Sequence, residues 1–155
     1  MLYSNIITKK GFIMNRREAL KAVAITTLAS TSLMAYDAKK VVNHSKMKKA
    51  DPKNPTKAEL KHTPDIKIKD VDTKGYTLIE VEVGQEGIIH PSTEDHWIYE
   101  VSLYADDKLI DTVALEPVLS RGYLASRVNL KGVKTLTAIA KCNLHGDWQA
   151  SVNVG

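Results

Sequence analysis

The chain has 155 residues, 26% of them charged, and a formal net charge of +4. That length suits one domain with an extension, and so small a positive excess, with no arginine cluster interleaved with aromatics, gives no footing for nucleic acid. Phenylalanine and cysteine each occur once, so the core has to come from aliphatic residues with Trp97 and Trp148, and a disulfide within the chain is excluded.

The first readable segment is 14–35, "MNRREALKAVAITTLASTSLMA". Arg16 and Arg17 precede an uncharged stretch from Ala22 to Ala35 that is too short for a comfortable membrane span and suits the apolar region of an export signal. The order N-R-R-E-A-L-K resembles a twin-arginine signal, an address read by a receptor, with Ala19 where that pattern often has Phe. This predicts a signal segment over 1–35, cleavage after Ala35 and a periplasmic protein without a stable membrane span. Met14 is a second candidate start. Twin-arginine export carries proteins that are already folded, which suits a metal bound only by the folded site. Residues 36–60 are rich in Lys, Asp and Pro without an apolar period, and read as a flexible linker.

From Pro64 onward the chain alternates. Ile66 and Ile68 share a face, as do Ile79, Val81 and Val83 in "YTLIEVEV". "HWIYEVSLY" sets Trp97, Tyr99, Val101 and Leu103 on one side. "KLIDTVAL" follows the Asp106–Asp107 turn, a strand is expected near 125–130, and "KTLTAIAKC" and "DWQASVNV" complete the series. Period two broken by turn residues is the mark of half-buried strands. About seven short strands without a convincing helix predict an all-β, antiparallel β-sandwich over 61–155.

Chemistry-bearing residues gather where the alternation breaks. His62 precedes the first of these strands, His90 and His96 bracket "HPSTEDH", and Cys142 and His145 share the corner "CNLHGDW". His44 lies in the linker and outside any motif. Loops at one end of a sandwich can bring such groups together on a rigid frame. A Cys–His nucleophile pair would leave three histidines idle. Structural zinc needs four ligands where five are offered. Blue copper often adds an axial Met, and none follows Met47. Iron accepts imidazoles and a thiolate together and tolerates five or six ligands.

"KHTP", "HPSTEDHWI" and "CNLHGDW", in this order, resemble the signatures of the superoxide reductase family, the iron domain shared by neelaredoxin and desulfoferrodoxin. The likeness runs from about His62 to the C-terminus. It implies an immunoglobulin-like sandwich and one mononuclear iron, held by His62, His90, His96 and His145 with Cys142 as axial thiolate. It also implies reduction of superoxide to hydrogen peroxide at the open position, with an external donor, rubredoxin-like or its periplasmic equivalent, restoring ferrous iron. Lys61 matches the family's lysine near that position, where its charge would steer the anion. Backbone N–H groups of residues 143–145 are expected to face the sulfur and tune it. Relatives commonly carry a Glu two residues before the first histidine, which closes the sixth position of ferric iron. Here Leu60 stands there, Glu59 lies one step further back, and Glu59 is expected not to substitute for it. No cysteines remain for a second iron centre, so the neelaredoxin type is implied, as is a homodimer or homotetramer. The competing reading is a non-catalytic metal-binding sandwich, with structural zinc or a partner-binding role.

Overall fold

Alternating side chains become strands almost wherever the pattern asked for them. The structure, a computed structural model, describes residues 35–155. Of the signal segment expected over 1–35, all but Ala35 lies outside the described residues. In chain order the elements are β1 (Lys46–Met47), α1 (Lys57–His62), β2 (Pro64–Val71), β3 (Thr77–Val83), β4 (Ile98–Ala105), β5 (Lys108–Ala114), β6 (Tyr123–Val128), β7 (Thr135–Cys142) and β8 (Gly146–Asn153). They form a five-stranded sheet in the order β1-β8-β7-β4-β5 and a three-stranded sheet in the order β2-β3-β6. All pairings are antiparallel except β1 with β8. The expected all-β sandwich is therefore what the chain forms.

The core lies between the sheets. Ile79, Val81 and Val83 of β3 face Val101 and Leu103 of β4 and the row Leu136, Ala138, Ala140 and Cys142 of β7. Every second residue of β7 is buried, so the strand's alternation carries the thiol, its last residue, into the end of the core. Truncating a core aliphatic such as Leu103 to Ala removes packed contacts and costs about 2–5 kcal/mol.

A bulge between Ile98 and Glu100 alters one expectation. It turns Ile98 toward Val101 and Leu103 in the core cluster, which Trp97 and Tyr99 do not join. Those two aromatics instead meet Tyr36, whose ring centroid lies 6.4 Å from Trp97 and 5.0 Å from Tyr99. The bulge re-aims side chains at the mouth of the strand.

The linker expected over 36–60 is corrected by these elements. A 3-10 turn (Ala38–Lys40), strand β1 and helix α1 all fall within it or straddle its end, and the described residues form one compact unit with the sandwich. Helix α1 begins at a capping box in which Thr56 accepts from the Glu59 N–H and the Glu59 side chain accepts from the Thr56 N–H. Six residues are too few for an apolar period to show, so the cap is the only local signal for this helix.

Candidate metal centre

Four separate segments deliver the site. Helix α1 ends on His62, which is buried. The Nδ1–H of His62 donates to the Ala58 carbonyl one turn earlier at 2.6 Å, leaving Nε2 aimed inward. His90 follows the turn after β3. Its backbone N–H donates to the Val83 carbonyl at 3.0 Å, and its Nδ1–H donates to the Pro91 carbonyl at 2.7 Å. His96 enters β4 from a turn in which its N–H donates to Thr93 Oγ1 at 3.1 Å. Cys142 and His145 flank the β7–β8 corner, which closes on Gly146 at φ +81°.

Three imidazole nitrogens crowd together. His145 Nδ1 lies 3.0 Å from His62 Nε2, 3.1 Å from His96 Nε2 and 3.6 Å from the Cys142 sulfur. The ligand atoms of His62, His96, Cys142 and His145 all fall within 4.8 Å of one another. His90 borders this group edge-on, its ring centroid 4.7 Å from that of His62 and 4.6 Å from that of His96. Its Nε2 is buried and has no hydrogen-bond partner among the described residues. A buried polar atom left without a partner is costly unless something absent from the chain satisfies it. All five expected ligand residues thus reach one end of the sandwich, four as a tight group and His90 at its border.

The electrostatics favour lone pairs over protons on the histidines. Burial pushes His62 down to about 4 and His90 down to about 3, with repulsion from neighbouring imidazoles and Lys61 adding to it. Burial, then His145 and Lys61, also lowers His96. At neutral pH these imidazoles are uncharged and can ligate a cation. Burial raises the Cys142 thiol, while the N–H groups of Leu144 and His145 and the charge of Lys61 oppose that rise. A bound cation is the missing charge that would favour the thiolate. Of the three N–H groups expected at the sulfur, that of Asn143 goes elsewhere, to the Trp97 carbonyl at 3.2 Å.

Burial grades across the cluster. Cys142, His62 and His90 are buried, His96 is half-buried and His145 is exposed. Lys61 sits half-buried beside a cleft of about 220 Å³ that His62, His145 and Trp148 also line. Glu59 faces its own cap, its carboxylate accepting from the Ala50 N–H at 2.6 Å and from the Thr56 N–H at 2.7 Å. Leu60 is buried in the core. In this conformation neither residue reaches toward the cluster as a ligand. His44 stands apart, 3.4 Å from the Tyr99 hydroxyl.

Trp148 is a functional neighbour that the pattern of histidines did not reveal. Its ring stacks on His62 at 5.4 Å and 23°, and its Nε1–H donates to the His145 carbonyl at 2.9 Å. It fixes two members of the cluster at once. The only sequence signal was its place in "CNLHGDW".

The donor set, neutral imidazoles with one thiolate and a partnerless buried nitrogen beside them, fits a transition metal of the iron or zinc kind. The desulfoferrodoxin family model matches residues 54–151, and the chain belongs to that family. It is 34% identical over 102 residues to a Methanocaldococcus jannaschii protein assigned as a superoxide reductase, covering 63% of this chain and 84% of that one. Among solved structures it resembles the superoxide reductase (1Fe-SOR) of Giardia intestinalis, with a TM-score of 0.53 and 26% identity over 61% of this chain and 98% of the other. The superoxide reductase (neelaredoxin) of Ignicoccus hospitalis gives a TM-score of 0.50 and 28% identity over 60% and 79% of the two chains.

Proposed function

We propose that this chain is a superoxide reductase whose single iron is held by His62, His90, His96, His145 and Cys142. The observation that carries the reading is the partnerless buried Nε2 of His90 beside the group of four. Structural zinc would be complete with His62, His96, Cys142 and His145. A fifth imidazole, already oriented by the Pro91 carbonyl and with nothing else to bind, favours a metal that takes more than four ligands.

Iron bound by these residues would supply the one electron that, with two protons, turns superoxide into hydrogen peroxide. The chain's residues prepare the site for it. The Ala58 and Pro91 carbonyls fix the tautomers of His62 and His90 by accepting from Nδ1, so Nε2 carries the lone pair. Neutral imidazoles leave the centre net positive, which draws an anion. Lys61 adds a mobile point charge at the half-exposed side. The buried position of Cys142 keeps water from the sulfur, while the N–H groups of Leu144 and His145 temper its charge. The exposed edge of His145 and the half-exposed edge of His96 mark the side open to solvent. Each turnover consumes an electron, so the reading includes an external one-electron donor, rubredoxin-like or its periplasmic equivalent.

The test is product stoichiometry under a superoxide flux with the iron kept reduced. A reductase yields one peroxide per superoxide and no dioxygen, whereas dismutation yields one peroxide per two superoxides. The dismutation ratio would contradict the proposal. The reading extends to location: Arg16–Arg17 and the uncharged stretch to Ala35 support export by the twin-arginine route and a periplasmic mature protein. The N-terminal residue of the protein recovered from the periplasm tests it, and retention of the whole chain in the cytoplasm would refute it. Assembly as a homodimer or homotetramer completes the reading, checked by light scattering on the purified protein.

A further inference from the structure

Residues 40–47 lie outside the family match, which begins at residue 54, yet they are laid along the corner that holds Cys142 and His145. The contacts run in step. The Lys40 carbonyl accepts from Asn143 Nδ2 at 3.3 Å, and the Val42 N–H donates to the Asn143 carbonyl at 2.9 Å. Asn43 Nδ2 donates to the Leu144 carbonyl at 3.2 Å, and the Asp147 N–H donates to the Ser45 carbonyl at 2.8 Å. Strand β1 then pairs Lys46 with Asp147 and Met47 with Trp148. The approach is close enough to demand glycine at 146, because an added Cβ there would collide with the Ser45 carbonyl.

The strap meets the corner through Asn143, which is buried and ties three segments together. Its Oδ1 accepts from the Trp97 N–H at 3.0 Å, and its Nδ2 also donates to the Asp95 carbonyl at 2.9 Å. One side chain therefore joins the strap, the Cys142 corner and both backbone neighbours of His96. With its backbone N–H on the Trp97 carbonyl, Asn143 has every polar group engaged. A fully satisfied buried network of this kind imposes one geometry.

We infer that the strap of residues 40–47 is a positioning element of the metal centre, which acts through Asn143 to fix the Cys142–His145 corner and close its backbone to water. The inference rests on the proposed iron site for its redox consequence but not for its structural one. With the strap in place, the Leu144 and His145 N–H groups stay aimed at the sulfur. Without it, those bonds loosen and the sulfur becomes a stronger donor. Water also approaches a centre whose net charge is greater when ferric. Both changes favour the ferric state, so the midpoint potential moves negative.

Val42 allows a clean test. Its side chain is 69% exposed, so Val42→Ala alters little beyond the surface. Val42→Pro removes the strap N–H that donates to the Asn143 backbone carbonyl. The preceding Val41 has φ −87° and ψ 107°, a conformation compatible with a following proline. Two quantities are compared in the pair: the rate at which a thiol reagent modifies Cys142 in metal-free protein, and the midpoint potential of the iron-loaded protein. Val42→Pro is expected to react about tenfold faster than Val42→Ala, as local opening of the corner becomes easier, and to show the more negative potential. Equal thiol rates and equal potentials in the two variants would overturn the inference. If neither variant nor the parent takes iron, the iron reading fails, and the thiol rates alone still decide whether the strap holds the corner.

Discussion

The two ends of the sandwich are built from the same strands and finished in opposite ways. At the end remote from Cys142, short polar side chains close the turns on themselves. Asp72 accepts from the N–H groups of Lys74 and Tyr76, each at 2.9 Å. Asp106 accepts from those of Lys134 at 3.1 Å and Thr135 at 3.0 Å, and Asn129 accepts from Lys131 at 3.0 Å. These are ordinary turn solutions. At the other end His145 Nδ1 stands 3.0 Å and 3.1 Å from two other imidazole nitrogens, a thiol is buried beside them, and His90 Nε2 has no partner among the described residues. One end satisfies its own polar groups and the other withholds that satisfaction. An end left incomplete in this way marks where something from outside the chain is meant to bind.

Substitutions should divide along the same line. The largest effect is expected from Cys142→Ser, which replaces the soft ligand by a hard, weakly acidic hydroxyl. Superoxide reduction should fall by more than about 100-fold, and rates near the parent's would remove the thiolate from the account. Next comes His90→Ala. If this nitrogen completes the metal's ligand set, iron per chain after dialysis should drop to about a tenth or less, while zinc binding by the remaining four is kept. Undiminished iron content would place His90 outside the site. Lys61→Ala should slow superoxide capture by about tenfold and flatten its dependence on salt. An unchanged rate constant across ionic strengths would end the steering role. The smallest effect on the metal should come from the opposite end. Asp106→Ala removes two turn hydrogen bonds and should cost about 1–2 kcal/mol of stability, seen as an earlier denaturant midpoint, with iron content and reduction rate unaltered. Loss of iron in that variant would mean that the two ends are not independent.

The sequence carried the strands well because period two is a local property. β2 through β8 stand where alternation put them, with β6 two residues earlier than expected. What escaped was set by distant contacts. The strap has no apolar period, since its order comes from backbone bonds to residues about a hundred positions away. The bulge at Ile98–Glu100 depends on pairing with β7, so the side taken by Trp97 and Tyr99 could not be read from "HWIYEVSLY" alone. Helix α1 is short and rests on its cap, and that cap keeps Glu59 from the site, because its carboxylate is engaged by the N–H groups of Thr56 and Ala50. Within the site, residue types and their motifs named the four histidines and the cysteine. The orientations of the His62 and His90 imidazoles were not legible, because the carbonyls of Ala58 and Pro91 set them. Nor were the roles of Trp148 and Asn143, which hold others in place.

Metal content and the optical spectrum of the purified protein, read before and after mild oxidation, test the central claim most directly. One iron per chain, with a visible thiolate-to-ferric band that appears on oxidation and vanishes on reduction, is the result this account predicts. Stoichiometric zinc, or a colourless protein that takes up no iron, would contradict it and leave the corner around Cys142 as a structural device alone.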